Sequence, residues 1–243
     1  MGPKYEFTDE TMNYDGHLLH RIRKLSDGIF GGWIESEDNL SQEGNCWVNG
    51  GAMVYDNAKV YDNAQVYDDA EVHGNAKVYD DARVHGCFAK VRDNAEVYGN
   101  AEVEDTWISE HAKVYDNACI SCGGVYGYAQ VYGNAKVYDD VIVRGDARVY
   151  GDAEVYGDAE IYGDARVYGD AEVHGEAEVY GNAKVYDDVI VRGAAEIYGN
   201  AQVYGNAEVH GDARVYGDAE VHGHAVIHGN VEVCSDVYNE EIS

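Results

Sequence analysis

The residues best equipped for chemistry in this chain are histidines, cysteines and paired aspartates. The densest group of the ten histidines is His222-Gly223-His224-Ala225-Val226-Ile227-His228. Neutral imidazoles bind zinc, but a zinc centre needs about four donors converging on one point. His111, in Ser109-Glu110-His111-Ala112, is the best lone candidate for a general base acting on a hydroxyl or amine. Cys119-x-x-Cys122 is a single CxxC, and without a second pair it is a weak metal or redox signal. The pairs Asp68-Asp69, Asp80-Asp81, Asp139-Asp140 and Asp187-Asp188 offer carboxylates of the kind calcium takes. No Ser-His-Asp set, P-loop or dinucleotide fingerprint appears.

What positions these residues is a six-residue period from Val48 to Val233, most regular as Val-Tyr-Gly-Asp-Ala-Glu. From Val125 the β-branched position recurs without a slip through Val131, Val137, Val143, Val149, Val155 and Ile161 to Val233. Four residues after each stands a small residue, nearly always alanine. A helix of 3.6 residues per turn cannot keep positions six apart on one face, whereas a strand of period two can. Valine and alanine therefore point inward, and tyrosine and the long charged residue outward. Gly-Asp, Asp-Asn and Gly-Asn tolerate the left-handed backbone of a corner. One strand plus one corner per hexad, three hexads per coil, closes a triangular prism whose stacked coils bury a continuous core.

This Val-x-Gly-Asp/Asn-Ala-x pattern resembles the hexapeptide repeat of left-handed parallel β-helices, the fold of the hexapeptide acyltransferases. The resemblance implies left-handed coiling, an exception to the usual crossover rule. It also implies an alternative function: an acyltransferase with an acyl-CoA donor, His111 as its catalytic histidine, and a trimer with clefts between subunits. The array carries no long extruded loop of the kind that family often uses. The histidines at 222, 224 and 228 faintly resemble the zinc segment of γ-class carbonic anhydrases. Their gaps of two, four and six do not match the five-residue gap of that family, so no metal is assigned to them.

Residues 1–47 are not hexads and read as an N-terminal capping segment with a β-hairpin around Asn13-Tyr14-Asp15-Gly16. Residues 48–234 form the hexapeptide-repeat β-helix, about ten coils and on the order of 50 Å long at ~4.8 Å per coil. Residues 235–243 form a C-terminal cap or tail. Gly31-Gly32-Trp33-Ile34-Glu35, Asn39-Leu40-Ser41 and Gly44-Asn45-Cys46-Trp47-Val48 are together similar to the start of bacterial and prophage hexapeptide-repeat proteins, some named transferases on fold alone. The period slips three times: Val84 to Val91 is one residue long, while Val103 to Ile108 and Ile120 to Val125 are one short. Regular arrays tend to break local rules where function demands it.

The outward residues form rows eighteen apart. One row is Tyr132, Tyr150, Tyr168, Tyr186, Tyr204 and His222. A second includes Tyr162, Tyr180, Tyr198 and Tyr216. A third is Tyr138, Tyr156, His174, Arg192, His210 and His228. The two tyrosine-rich rows are the candidate binding faces. Charge is the other strong signal: 46 acidic against 17 basic residues, net −29. The hexads carry roughly −21 of this, about one net charge per 2–2.5 Å of the coils, or ~1.7 Å with the caps included, against ~1.7 Å for duplex DNA. A rod so charged imitates nucleic acid to a basic protein and does not itself bind nucleic acid.

The reading is therefore an all-β, non-enzymatic acidic interaction rod without a cofactor. Its expected partner is a basic, nucleic-acid-binding or defence protein. A structural, self-assembling protein, dimer or trimer, is the further alternative. An odd, scattered set of five cysteines and no signal peptide or membrane-spanning run give a cytoplasmic expectation.

Overall fold

A computed structural model describes residues 2–243. The chain divides into two compact units, Met1–Asn117 and Ala118–Ser243, each a parallel β-solenoid. Every coil gives one short strand to each of three parallel sheets, the triangular section that the hexads imply. In the second unit the strands of one sheet include Arg148–Val149, Arg166–Val167 and Lys184–Val185, paired Val149 to Val167 and Val167 to Val185. The register is eighteen residues, three hexads. The inward positions are fully enclosed: Val149, Ala153, Val155, Ala159 and Ile161 have no exposed surface. Burying a valine stabilises by roughly 1.5–3 kcal/mol, so the repeated Val/Ala column is the main source of cohesion.

Corners add a second lock. The residue after each corner glycine or aspartate donates its N–H to the corner carbonyl of the next coil, as from Asp164 to Gly181 and from Asn182 to Gly199, at 2.8 and 2.7 Å. The corner residue itself has positive φ. It is glycine in most second-unit coils and aspartate at Asp56, Asp62, Asp68, Asp80, Asp93 and Asp116 of the first unit. Aspartate is tolerated because its carboxylate can satisfy a neighbouring N–H. Asp56 Oδ2 accepts from Gly74 N, and Asp187 Oδ2 from Gly205 N.

In the first unit the parallel pairing begins before the hexads. Strands β1 (Tyr5–Tyr14) and β2 (His17–Lys24) form an antiparallel hairpin, and β3 (Phe30–Ile34) pairs antiparallel with β2 and parallel with Met53–Val54. The two residues at the hairpin tip, Asp15 and Gly16, both have positive φ, as a tight two-residue turn requires. Leu40 is fully buried and bridges Val60, filling the first coil. Asn39 beside it donates to the Asp56 and Ala58 carbonyls. Gly31 is close-packed: a Cβ there would lie 2.7 Å from Ile22 and Trp47. In the second unit, Val237–Tyr238 and Glu241–Ile242 pair parallel with the strands of Val221 and Ile227. These segments on both sides of the hexads bring the total to about twelve turns, above the ten expected from the hexads alone.

The period slips do not disturb the register. Val84 pairs with Val103 nineteen residues on, and Val91 with Ile108 seventeen on. The insertion at 86–88 and the deletion near Asp105 compensate on successive coils. Phe88 N donates to Asp105 Oδ1, so the two irregular corners also bond to each other. Among the described residues no buried polar side chain lacks a hydrogen-bond partner, and no helix is long and apolar enough to cross a membrane.

Candidate functional site

The outward tyrosines form the ladders that their spacing predicts. Tyr132, Tyr150, Tyr168, Tyr186, Tyr204, His222 and Tyr238 stack in succession, most rings 4.8–5.1 Å apart and nearly parallel. Tyr162, Tyr180, Tyr198 and Tyr216 form a second ladder. The first unit has its own, Tyr61, Tyr79, Tyr98 and Tyr115. The rings are not open aromatic surface, however. Apart from Tyr238, which is exposed at the end of the first ladder, they are half-buried, because each covers the faces of its neighbours. Tyr162 donates to Glu178 Oε2 at 2.7 Å and Tyr180 to Glu196 Oε2 at 3.0 Å, which fixes the phenols as well. Burial among stacked phenols pushes the Tyr168 hydroxyl up to about 12. Burial and the bond to Glu178 raise Tyr162 in the same way.

Fully solvated chemistry lies at the corners. In the second unit Asp152, Asp170 and Asp188 occupy one corner on three successive coils, and Asp140, Asp158 and Glu176 another, all exposed. Successive coils are 4.8 Å apart, the spacing of the Tyr150 and Tyr168 rings. Asn134 donates to Asp152 Oδ1 and Asn206 to Asp188 Oδ2, so amides bracket the first column at both ends. Four basic residues on the flat faces of the second unit are paired between coils, Lys136 with Glu154, Arg144 with Glu160, Arg192 with Glu208 and Arg214 with Glu196, while Arg148, Arg166 and Lys184 follow one another on successive coils of one sheet. Such exposed pairs stabilise little, but each cancels a charge where it stands.

The sequence-selected histidines are dispersed. His111 is exposed beside the corner residue Glu110. His222 stacks in the first tyrosine ladder. His228 stacks on His210 and contacts Glu241, and His224 donates its backbone N–H to Asn239. They sit on two sheets and a corner, an arrangement unlike the convergent donors of a metal centre.

A polar groove that the sequence reading missed lies in the first unit, where the hairpin tip overhangs the first sheet. It encloses about 480 Å³ between Tyr14, Asp15, Tyr55, Glu71, His73, Lys90, Arg92 and Trp107. Glu71 is its centre, only 8% exposed. Tyr14 and Tyr55 donate to its two oxygens at 2.9 and 3.3 Å, and Lys90 Nζ lies 2.9 Å away. The hydrogen bond to Glu71 raises the Tyr14 phenol, and burial raises Tyr55. Burial lowers His73, which stacks on Tyr55 at 4.9 Å. With Tyr14, Tyr55 and Lys90 all on its carboxylate, Glu71 clamps the hairpin to the coils. Trp107, inside the second period slip, is 45% exposed and forms one wall. That slip was the one sequence signal pointing here. Glu71 itself reads as an ordinary outward hexad glutamate until Tyr14, 57 residues away, is brought to it.

Beside the groove His17, first residue of β2, lies between two carboxylates. Its Nδ1 is 3.0 Å from Glu35 Oε1 and its Nε2 3.5 Å from Asp56 Oδ1. The Glu35 hydrogen bond raises the imidazole's affinity for its proton, against an opposing effect of burial. Glu35 Oε2 accepts the Asp56 N–H at 2.7 Å, and the His17 ring packs 4.9 Å from Tyr55.

Comparison with curated proteins finds no match. A family model of the YdcK Beta solenoid repeat matches residues 129–145 and 159–175. Both stretches are runs of coil in the second unit, so over them the chain is similar to the repeat of those β-solenoids, a likeness of architecture.

Proposed function

We propose that this chain is a non-enzymatic acidic scaffold that engages a basic protein surface, presenting carboxylates in rows as a nucleic acid presents phosphates. The carrying observation is the placement of charge. The acidic surplus stands in exposed corner columns such as Asp152, Asp170 and Asp188, while several of the basic side chains on the flat faces, Lys136, Arg144 and Arg192 among them, are paired with glutamates of adjacent coils. Carboxylates one coil apart repel one another, and a row of lysines or arginines relieves that repulsion while releasing bound cations. The tyrosine ladders serve this arrangement by holding the coils in register, which keeps the corner rows straight. The partner class that fits is one whose own ligand is a polyanion.

The test is competition. A basic protein that binds duplex DNA without sequence preference is loaded with labelled DNA, and this protein is titrated in at low salt. Displacement of the DNA, abolished by moderate salt, supports the reading. DNA that stays bound at saturating protein counts against it. The acyl-CoA alternative would place His111 at a donor cleft. Heat stabilisation of the protein by acyl-CoA, lost in His111→Ala, would favour that alternative.

A further inference from the structure

We infer that His17, Glu35 and Asp56 form a binding site for a transition-metal dication that fastens the N-terminal hairpin to the first coil. The three side chains come from three separate elements: the hairpin strand β2, the residue after β3, and the left-handed corner of the next coil, where Asp56 has φ 57°. One ligating atom from each lies within 4.8 Å of the others, and this is the His/carboxylate group that converges among the described residues. In a tetrahedral zinc site, with donors about 2.0–2.2 Å from the ion, donor atoms stand roughly 3.3–3.6 Å apart. His17 Nε2 and Asp56 Oδ1 are already 3.5 Å apart.

The donor set fixes the class of ion. One imidazole and two carboxylates carry two negative charges when His17 is neutral, which one dication balances. Nitrogen with oxygen donors and no thiolate suits zinc, cobalt, nickel or manganese over copper(I). The second coordination layer is also in place. Glu35 is oriented by the Asp56 N–H, Asp56 Oδ2 by the Gly74 N–H, and the His17 ring by Tyr55. All three ligands keep partial exposure, between 27 and 35%, which leaves room for entry and for a bound water. This site is independent of the acidic-scaffold reading, since it uses none of the corner columns of the second unit.

The experiment is calorimetric titration of the full chain with nickel and with manganese, chosen because the cysteines compete for zinc. One site per chain is expected for nickel. Glu35→Gln is expected to weaken it by about 10–100-fold, and His17→Gln to remove it, while His111→Ala and His228→Ala leave it unchanged. Because a variant can loosen the hairpin, the wild-type protein is also titrated with paramagnetic manganese and its amide spectrum recorded. Broadening centred on residues 17, 35 and 56 supports the site. Binding that survives His17→Gln, broadening centred on the corner aspartates of the second unit, or no saturable binding of either ion overturns it.

Discussion

Two glycines in one corner column separate the cost of a left-handed backbone from the cost of coil stacking. Gly199 and Gly217 have φ of 73° and 72° and lie one coil apart. A Cβ on Gly199 would sit 3.0 Å from the nitrogen and 3.1 Å from the oxygen of Gly217, whereas a Cβ on Gly217 would meet nothing within 4 Å. Alanine at either site adopts the left-handed region at a cost of roughly 1–2 kcal/mol. Alanine at Gly199 must also push backbone away from backbone, and overpacking of this kind adds about 1–3 kcal/mol. Gly217→Ala is therefore expected to cost about 1–2 kcal/mol and Gly199→Ala about 2–5 kcal/mol. For a chain of this length each kcal/mol lowers Tm by about 2–4 °C. Thermal and urea unfolding followed by far-ultraviolet circular dichroism reads the difference. Equal losses at the two positions would refute the claim that corners stack backbone on backbone.

Other expectations follow from the ladders, the clamp and the corner columns. Tyrosine ionisation followed at 295 nm should trail well above the ordinary value of 10, with Tyr168 near 12. A phenol whose folded pKa is raised contributes stability that is complete below pH 10 and lost as pH climbs from 10 towards 12, so alkaline unfolding should fall in that window; unfolding that begins below pH 9 would contradict it. Glu71→Gln removes the charge that holds Tyr14, Tyr55 and Lys90, at a cost of about 1–3 kcal/mol. Limited proteolysis should then cut near the hairpin tip, and unchanged resistance would speak against the clamp. Asp170→Asn removes a charge between two like neighbours, so it should raise stability at low salt, and the gain should vanish at high salt. A gain independent of salt would point to something other than repulsion in the column.

The hexads made the solenoid legible because one physical rule repeats. Val149, Val167 and Val185 share a face only in a period-two strand closed by corners, and a three-hexad coil sets the eighteen-residue register found between them. The tyrosine rows were legible for the same reason, although spacing alone does not tell an exposed ring from one sandwiched between copies of itself. The strands outside the hexads were harder to read. Phe30–Ile34 joins the first sheet without a hexad, because Gly31 and Gly32 let it pass over Trp47 and Val48. The groove was nearly invisible, since Glu71 is buried only by a hairpin 57 residues earlier in the chain. His17, Glu35 and Asp56 likewise come together through long-range pairing. No local pattern links a residue after a turn, a residue after a strand and a corner aspartate that looks like every other corner aspartate.

The central claim is that the corner carboxylates form the working surface. Its most direct test is the affinity of a lysine-rich oligopeptide for the wild-type chain and for the Asp152→Asn, Asp170→Asn, Asp188→Asn triple variant, measured by fluorescence anisotropy across a salt series. The account predicts a linear fall of log affinity with log salt for the wild type, and weaker binding with a shallower slope for the variant, both proteins remaining folded. Affinity that is insensitive to salt, or that is the same in the two proteins, would contradict it.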